Sequence, residues 1–525
     1  MSDNGLNHLW AKTNDSGDAP SFHPLLFHML DVAAVAINIF ENVISSSQAN
    51  RLSKVIKNET VTIFSFLAGA HDIGKASPGF QKKIPELSRY LDLRFSVNDQ
   101  DRPHGYISAL TLQRFLGKGS MTVLLGQIAG GHHGVFPRSE DLRMGQDVLG
   151  NKDWEIARRD LLDEVVKAVS SDIDTKQRFS NEITDPFIVP FLAGFISIAD
   201  WIGSNQEYFP CTTKKDILPD FDTIEYFNEA KEKAKHALTA LGWAPQPGFA
   251  PEVPFHDVFQ GFSANTIQTT VIDLVSKQNS PYLMVIEAPM GHGKTEAALY
   301  AADIALCRGF AKGMYIAMPT QATGNAMFKR VLDDYLKTRG HSGKLNLQLV
   351  HGNALLTRLG TVISEGEIPE YAPENIAASQ GDTEAQSWFT AKKRPLLAPF
   401  GVGTIDQSLL SVLQTRHWFV RLFGLSGKVV VFDEVHAYDT YMSTILERLL
   451  QWLAEMDCTV ILLSATLPDT KRKALVSAYS GNTNLEYRNY PRVTLSHPGH
   501  YPERQAAIGP VCEKIPLTDG KNINL

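Results

Sequence analysis

The first 200 residues carry a constellation of residue types suited to divalent-metal chemistry: His28, the pair His71-Asp72, His104, the pair His132-His133, and Asp200. Imidazole nitrogen combined with carboxylate oxygen suits Mn, Fe, Co or Ni. An adjacent His-Asp pair can place both side chains at one helix end, and its aspartate can bridge two ions. Two neighbouring ions can activate a water and stabilise the leaving oxygen of a phosphodiester. Taken singly, most of these residues have an ordinary reading. His28 suits a packed core, Asp72 a helix cap, and His132-His133 a loop between Gly130-Gly131 and Gly134, where glycines permit close approach. Asp200 is harder to dismiss. It ends the apolar run Phe191–Ala199, where an unpaired carboxylate would be costly.

A second constellation lies in the other half. The run Val285 to Glu296 reads as strand, loop and helix start, with Gly291, His292, Gly293, Lys294 and Thr295 as the loop and Ala288 where such loops usually have their first glycine. Backbone N–H groups and a helix N-terminus can cradle a β-phosphate there. Lys294 adds a point charge, and the Thr295 hydroxyl can ligate Mg²⁺. Farther on, Lys428–Phe432 ends in Asp433-Glu434, which suit a Mg²⁺ contact through water and the orientation of an attacking water. The next apolar run, Thr459–Leu463, ends in Ser464-Ala465-Thr466.

The elements that must hold these groups change character along the chain. Residues 22–240 read as mainly helical: Leu26, Met29, Leu30, Ala33, Ala34 and Ile37 recur at helical spacing, with similar patterns over 104–116, 155–170 and 186–203. Gly242 to Pro254 is rich in proline and glycine and suits an extended linker. Beyond it the apolar runs Tyr282–Ile286, Tyr315–Met318, Lys428–Phe432 and Thr459–Leu463 alternate with helical stretches, as in a parallel α/β sheet that delivers loops to one edge. An acidic stretch over 360–390, carrying Glu365, Glu367, Glu370, Glu374, Asp382 and Glu384, reads as a surface insertion. No internal repeat is visible.

Length and composition bound the function. A chain of 525 residues predicts more than one domain, and 43% hydrophobic with 20% charged residues is ordinary for a globular protein. The net charge of −7 argues against coating nucleic acid through bulk positive charge, though not against a local basic groove. The four cysteines, Cys211, Cys307, Cys458 and Cys512, lack paired metal-ligand spacing and suit a reduced compartment. Met1-Ser2-Asp3-Asn4 does not open a signal peptide, and no apolar run approaches the roughly 20 residues that span a bilayer. The expectation is a cytoplasmic protein that does not use a membrane.

The order His23 to Ala33, Gly69-Ala70-His71-Asp72-Ile73-Gly74-Lys75, His104-Gly105, Gly131-His132-His133-Gly134 and Ile198-Ala199-Asp200-Trp201 resembles the HD nuclease domain of the CRISPR-associated helicase-nucleases of type I interference systems. The resemblance implies one metal on His28, His71, Asp72 and Asp200, and another on Asp72, His104, His132 and His133, with His71 and Asp72 catalytic. The later motifs are similar to a superfamily 2 DExH helicase. That similarity makes Glu434 catalytic and assigns Mg-ATP to Gly291, His292, Gly293, Lys294, Thr295 and Asp433. It makes Ser464-Ala465-Thr466 a coupling motif and places Pro319, Thr320, Gln321, Thr404, Asp406 and Gln407 on a DNA strand, through phosphate rather than base contacts. Phe262 to Gln268 suits adenine recognition, with Gln268 as its key side chain.

The resulting expectation is a multidomain chain. It comprises a tail over 1–20, an all-α HD domain over 21–240, a linker over 241–255, a RecA-like α/β lobe with a parallel sheet over 256–485, and a connection over 486–525 to a second lobe. Only 59 residues follow Thr466, so the second lobe and C-terminal domain of such helicases are expected to be missing, and the chain is expected to be a fragment, a truncated product or one part of a split protein with a separately encoded second lobe. The implied partners are single-stranded DNA and a CRISPR RNA-guided surveillance complex. Two other readings share these residues: an HD phosphohydrolase of nucleotides regulated by an ATPase lobe, and a non-catalytic, ATP-gated recruitment module.

Overall fold

The computed structural model describes residues 6–14, 21–56, 60–117, 119–170, 185, 187–211, 222–243, 251–336, 338–339, 347–350, 394–413, 415–482, 490–499 and 511–514. It divides into two compact units. One comprises 1–43, 52–244 and 415–420; the other comprises 44–51, 245–414 and 421–525. The acidic stretch over 360–390 lies outside the described residues, as do 244–250 of the expected linker.

The first unit is built around helix α1 (Leu25–Val43), which packs against α2 (Thr60–Gly69), α6 (Ile188–Gly203) and α7 (Thr223–Ala240). The helical periodicity carries this packing: Leu26, Met29, Leu30, Ala33 and Ala34 are buried, and Ile37 is half-buried. Three further helices complete the bundle: α3 (His104–Leu116), α4 (Ser120–Gly130) and α5 (Lys152–Val169). The expected patterns over 104–116, 155–170 and 186–203 thus fall on real helices, shifted by at most a few residues.

Helix α1 spans 19 residues and is apolar enough to cross a membrane, so the expectation that no segment approaches that length is corrected. Its surroundings give it another role. Most of it is buried inside the unit, and it carries the fully buried polar side chains His28 and Asp31. It is the central helix of a core.

The expected N-terminal tail is also corrected. Strands β1 (Trp10–Asn14) and β2 (Ser21–Pro24) pair antiparallel, so the unit is helical with one small strand pair. Trp10 stacks on Phe80 at a centroid distance of 4.4 Å, and its indole N–H donates to the Gln81 carbonyl. With Phe22 and Leu87 these rings form a small apolar cluster. A short run holding one large aromatic is enough to anchor the segment, and such a run carries little periodicity to detect.

The second unit contains a sheet ordered β10-β9-β3-β8-β7-β4-β6-β5. The strands are β3 (Leu283–Glu287), β4 (Met314–Met318), β5 (Leu347–Val350), β6 (Phe400–Thr404), β7 (Val429–Phe432), β8 (Thr459–Ser464), β9 (Arg492–Ser496) and β10 (Val511–Lys514). From β3 through β5 the pairing is parallel, whereas β9 and β10 are antiparallel. Strands β3, β4 and β7 are buried throughout, which is why each reads as an unbroken apolar run. Residues 492–496 and 511–514, expected to form a connection, instead extend this sheet. Three buried charges tie β9 to β3: Arg472 and Arg492 both bond the fully buried Glu287 at the end of β3.

Glycine permits one close approach on which the first unit depends. A Cβ on Gly74 would lie 2.0 Å from the His104 carbonyl oxygen and 2.7 Å from the Ser108 nitrogen. Both obstacles are backbone atoms of α3, which cannot swing aside. Gly74→Ala should therefore destabilise the first unit by at least about 1–3 kcal/mol, the usual cost of forcing extra volume into a packed site. Denaturant unfolding of the intact chain measures this, and an unchanged midpoint would contradict the packing described.

Candidate metal centre and nucleotide site

Helix α2 ends in the 3-10 turn Ala70–Lys75, which brings His71 and Asp72 into the centre of the first unit. Helix α1 contributes His28, the N-terminus of α3 contributes His104, the turn after α4 contributes His132 and His133, and the last turn of α6 contributes Asp200. All seven expected residues converge as two groups sharing Asp72: His28, His71, Asp72 and Asp200, and Asp72, His104, His132 and His133.

The two Asp72 oxygens divide these groups. Oδ2 lies 3.0 Å from His28 Nε2 and 3.4 Å from His71 Nε2. Oδ1 lies 3.1 Å from His104 Nε2 and 3.4 Å from His132 Nε2. Asp200 Oδ1 closes the first group at 3.3 Å from His71 Nε2 and 3.5 Å from His28 Nε2. In the second, His133 Nε2 is 2.8 Å from His104 Nε2.

Backbone carbonyls orient the central imidazoles. His71 Nδ1 is 2.6 Å from the Ala68 oxygen and His132 Nδ1 is 2.8 Å from the Ala129 oxygen. If each Nδ1 carries the proton, each Nε2 lone pair points inward, the usual arrangement behind a metal-bound histidine. Both Nε2 atoms are buried and make no hydrogen bond among the described residues. Buried nitrogens aimed at carboxylates, with no bond to satisfy them, fit cations on either side of Asp72.

Charge states follow from burial and neighbours. Burial opposes ionisation of Asp72, but His71, Lys75 and His104 outweigh it and hold the carboxyl well below its ordinary value. Asp200 is likewise lowered against burial, chiefly by His71. Burial, then the His71 charge, pushes His132 down to about 3. His28 and His133 are also lowered, mainly by burial. His71 behaves oppositely: against burial, Asp72 and Asp200 push it up to about 10. These neighbours offer the negative charge that a cation would use.

Sequence reasoning did not assign two supporting residues. Lys75 Nζ lies 2.9 Å from Asp72 Oδ2 and also donates to the Ala11 carbonyl. Its position three residues after Asp72 in one helical turn was the available signal. Ser204 donates to Asp200 Oδ1 at 2.8 Å from the next turn of the chain, by the same i, i+4 logic.

In the second unit, the loop after β3 leads into helix α9 (Lys294–Cys307), for which Gly293 is the N-terminal flank. Gly291 and Gly293 both have positive φ, which glycine adopts without strain. Lys294 Nζ donates to the carbonyls of Ala288 and Pro289. Burial lowers its pKa, opposed by the charges of Glu434 and Asp433. Asn265 and Gln268 form a capping box on helix α8 (Thr266–Val275). The Asn265 amide donates to the His292 carbonyl at 3.0 Å, and the Gln268 amide to the Gly293 carbonyl at 3.2 Å.

Asp433 and Glu434 follow β7, and Ser464 ends β8. His436 connects them: its Nε2 is 3.2 Å from Glu434 Oε2, and its Nδ1 accepts from the Ala465 N–H at 3.3 Å. Ser464 Oγ donates to the Thr466 carbonyl. Thr320 lies just beyond β4 and receives the Thr323 N–H, while Thr404 ends β6 and opens the helix carrying Asp406 and Gln407. Pro319 and Gln321 flank Thr320 at the same sheet edge.

The Asp72 geometry makes a quantitative prediction. Calorimetric titration of the intact chain with Mn²⁺ should give two ions per chain, about one in Asp200→Ala, and neither with comparable affinity in Asp72→Ala. Equal binding by all three proteins would contradict the shared carboxylate.

The Cas3 HD domain family matches residues 10–209, and the DEAD/DEAH box helicase family matches 265–474. A CRISPR-associated endonuclease/helicase Cas3 from Thermus thermophilus is 36% identical over 501 residues, covering 93% of this chain and 52% of that protein. The crystal structure of T. fusca Cas3 with AMPPNP superposes with a TM-score of 0.75 at 30% identity, over 93% of this chain and 55% of that one. A chain of a pre-nicking CRISPR RNA-guided surveillance complex matches with a TM-score of 0.69 at 27% identity, over 94% of this chain and 53% of that one. This chain spans about half the length of the curated relatives it matches. The chain therefore carries a Cas3 HD domain followed by a DEAD/DEAH box helicase domain, and along its length it is similar to Cas3 nuclease/helicases.

Proposed function

We propose that this chain is a metal-dependent nuclease of single-stranded DNA, coupled to an ATP-dependent superfamily 2 helicase lobe, that degrades target DNA in CRISPR antiviral defence. The observation that carries this reading is the Asp72 carboxylate set between two convergent groups of ligands. Mn, Fe, Co or Ni would be held by His28, His71, Asp72 and Asp200 on one side and by Asp72, His104, His132 and His133 on the other. Bound ions would supply an activated water and charge for the departing oxygen.

The protein's own groups do the positioning. His71 and Asp72 act at the centre, with Lys75 fixing the carboxylate. His28, His71 and His132 are buried, whereas His133 is exposed and His104 partly so. A DNA phosphate therefore approaches over His104 and His133.

In the helicase lobe, Gly291, His292, Gly293 and Lys294 receive the phosphates of ATP, Thr295 and Asp433 hold Mg²⁺, and Glu434 orients water. Gln268 is the key side chain of adenine recognition by Phe262 to Gln268, and its amide nitrogen also donates to the Gly293 carbonyl of the phosphate loop. Pro319, Thr320, Gln321, Thr404, Asp406 and Gln407 contact the DNA backbone, and Ser464, Ala465 and Thr466 relay ATP state through His436. The partner is a CRISPR RNA-guided surveillance complex, as the match to such an assembly supports. The place of action is the cytoplasm.

Cleavage assays with the 525-residue chain test this reading. With Mn, Co or Ni, single-stranded DNA should be cut without ATP. Asp72→Ala should abolish cutting, and Lys294→Ala should remove ATP binding while leaving ATP-independent cutting largely intact. Hydrolysis of cyclic or linear nucleotides instead of DNA would replace the reading with a nucleotide phosphohydrolase, and inactivity under every metal would replace it with a recruitment module.

A further inference from the structure

The compact unit that contains the metal ligands also contains a short, sequence-distant segment, Thr415–Val420. In the sequence this segment lies between Gln407 and Asp433, among the helicase motifs. Nothing in its composition suggests nuclease chemistry.

Its contacts fall on the turns that present metal ligands. The Arg416 Nε–H donates to the His133 carbonyl at 3.0 Å. The next residue, Gly134, has a φ of +96°, and a Cβ there would lie 2.6 Å from Arg416 Cγ and 3.0 Å from the His417 nitrogen. Glycine thus serves two needs at once, a left-handed backbone and room for the segment. Phe136 meets Phe419 at 5.4 Å between ring centroids, anchoring the far side of the same turn. Trp201, which follows the ligand Asp200, meets the His417 ring edge-on at 5.6 Å. His417 itself has a φ of +59°, a conformation that a non-glycine residue keeps only when its surroundings enforce it.

His133 is the ligand most in need of such support. It is exposed, follows the buried His132, and sits in the tight turn closed by the Gly134 N–H on the Gly131 carbonyl. His71 and His132 have ring nitrogens held by carbonyls of their own helices. The support that reaches His133 from this segment is through its backbone, where Arg416 donates to the carbonyl. A charged donor on a carbonyl makes a stronger hydrogen bond than a neutral one.

We propose that Thr415–Val420 is a built-in part of the nuclease centre, and that Arg416 is a positioning residue that fixes His133 and hence the metal held by Asp72, His104, His132 and His133. The inference rests on the metal-dependent reading of that centre. A stretch encoded among the helicase motifs therefore determines the geometry of a nuclease ligand.

The test is Mn²⁺ titration of the full chain, followed by electron paramagnetic resonance of the loaded protein. Wild type, Arg416→Ala and Arg416→Lys are compared, with thermal unfolding confirming that each is folded. Arg416 is exposed, so its truncation should leave the fold intact. Arg416→Ala should weaken one of the two ions by about 10–100-fold, the usual effect of losing an outer support to a ligand, and should leave the other unchanged. The exchange-coupled signal of a Mn pair should then give way to that of an isolated ion. Arg416→Lys keeps a charged donor and should restore part of the affinity. Two ions bound with wild-type affinity and coupling in Arg416→Ala would overturn the proposal. Equal weakening of both ions, or no rescue by lysine, would also overturn it, by showing a general structural role. Failure of wild type to bind Mn²⁺ would instead overturn the metal reading on which it rests.

Discussion

Asp72 imposes the constraint around which the first unit is arranged. A nearly buried carboxylate is expensive to keep ionised unless positive charge and hydrogen-bond donors surround it. Here its two oxygens face different imidazole groups, and Lys75 approaches one of them at 2.9 Å. Three elements must therefore meet at a point: α1 with His28, the turn after α2 with Asp72, and the N-terminus of α3 with His104. Gly74 lets the turn and α3 come within backbone contact, and Ser108 receives the Gly74 N–H. The helical bundle is in this sense a frame for holding one carboxylate between two sets of nitrogens.

The second unit solves a simpler problem by the general geometry of parallel sheets. Strands running the same way deliver their following loops to one edge. Ala288–Thr295, Pro319–Gln321, Thr404–Gln407, Asp433-Glu434 and Ser464–Thr466 all lie at carboxyl ends of parallel strands. The links between these loops are short and polar. His436 reaches Glu434 with one ring nitrogen and Ala465 with the other, and so bridges the two motifs. Glu434 has a φ of +52°, a left-handed conformation that places strain at the residue proposed to orient water.

Much of this was legible in the sequence because the chemistry depends on residue type and order. The seven candidate ligands are scattered over the first 200 residues, yet the fold brings them together in two groups. Strands β3, β4, β7 and β8 stood out because burial on both faces makes each a continuous apolar run. Strand β6, Phe400–Thr404, was missed because its two glycines lower its strand character. Strands β9 and β10 are antiparallel additions whose mixed sequences, such as Arg492-Val493-Thr494-Leu495-Ser496, resemble a polar connection until their pairing is seen. The pairing of β1 and β2 relies on single aromatic anchors rather than a repeat. Most hidden of all was Thr415–Val420, whose role depends on contacts with residues hundreds of positions away. No local pattern encodes such contacts.

The claim at the centre of this account is that one carboxylate separates and joins two ions. Anomalous diffraction at the Mn absorption edge, from crystals of the intact chain grown with Mn²⁺, measures it most directly. The account predicts two peaks about 3.5–4 Å apart, one beside each Asp72 oxygen, the first also contacted by Asp200 and the second by His133. A single peak, or a pair lying away from Asp72, would contradict it.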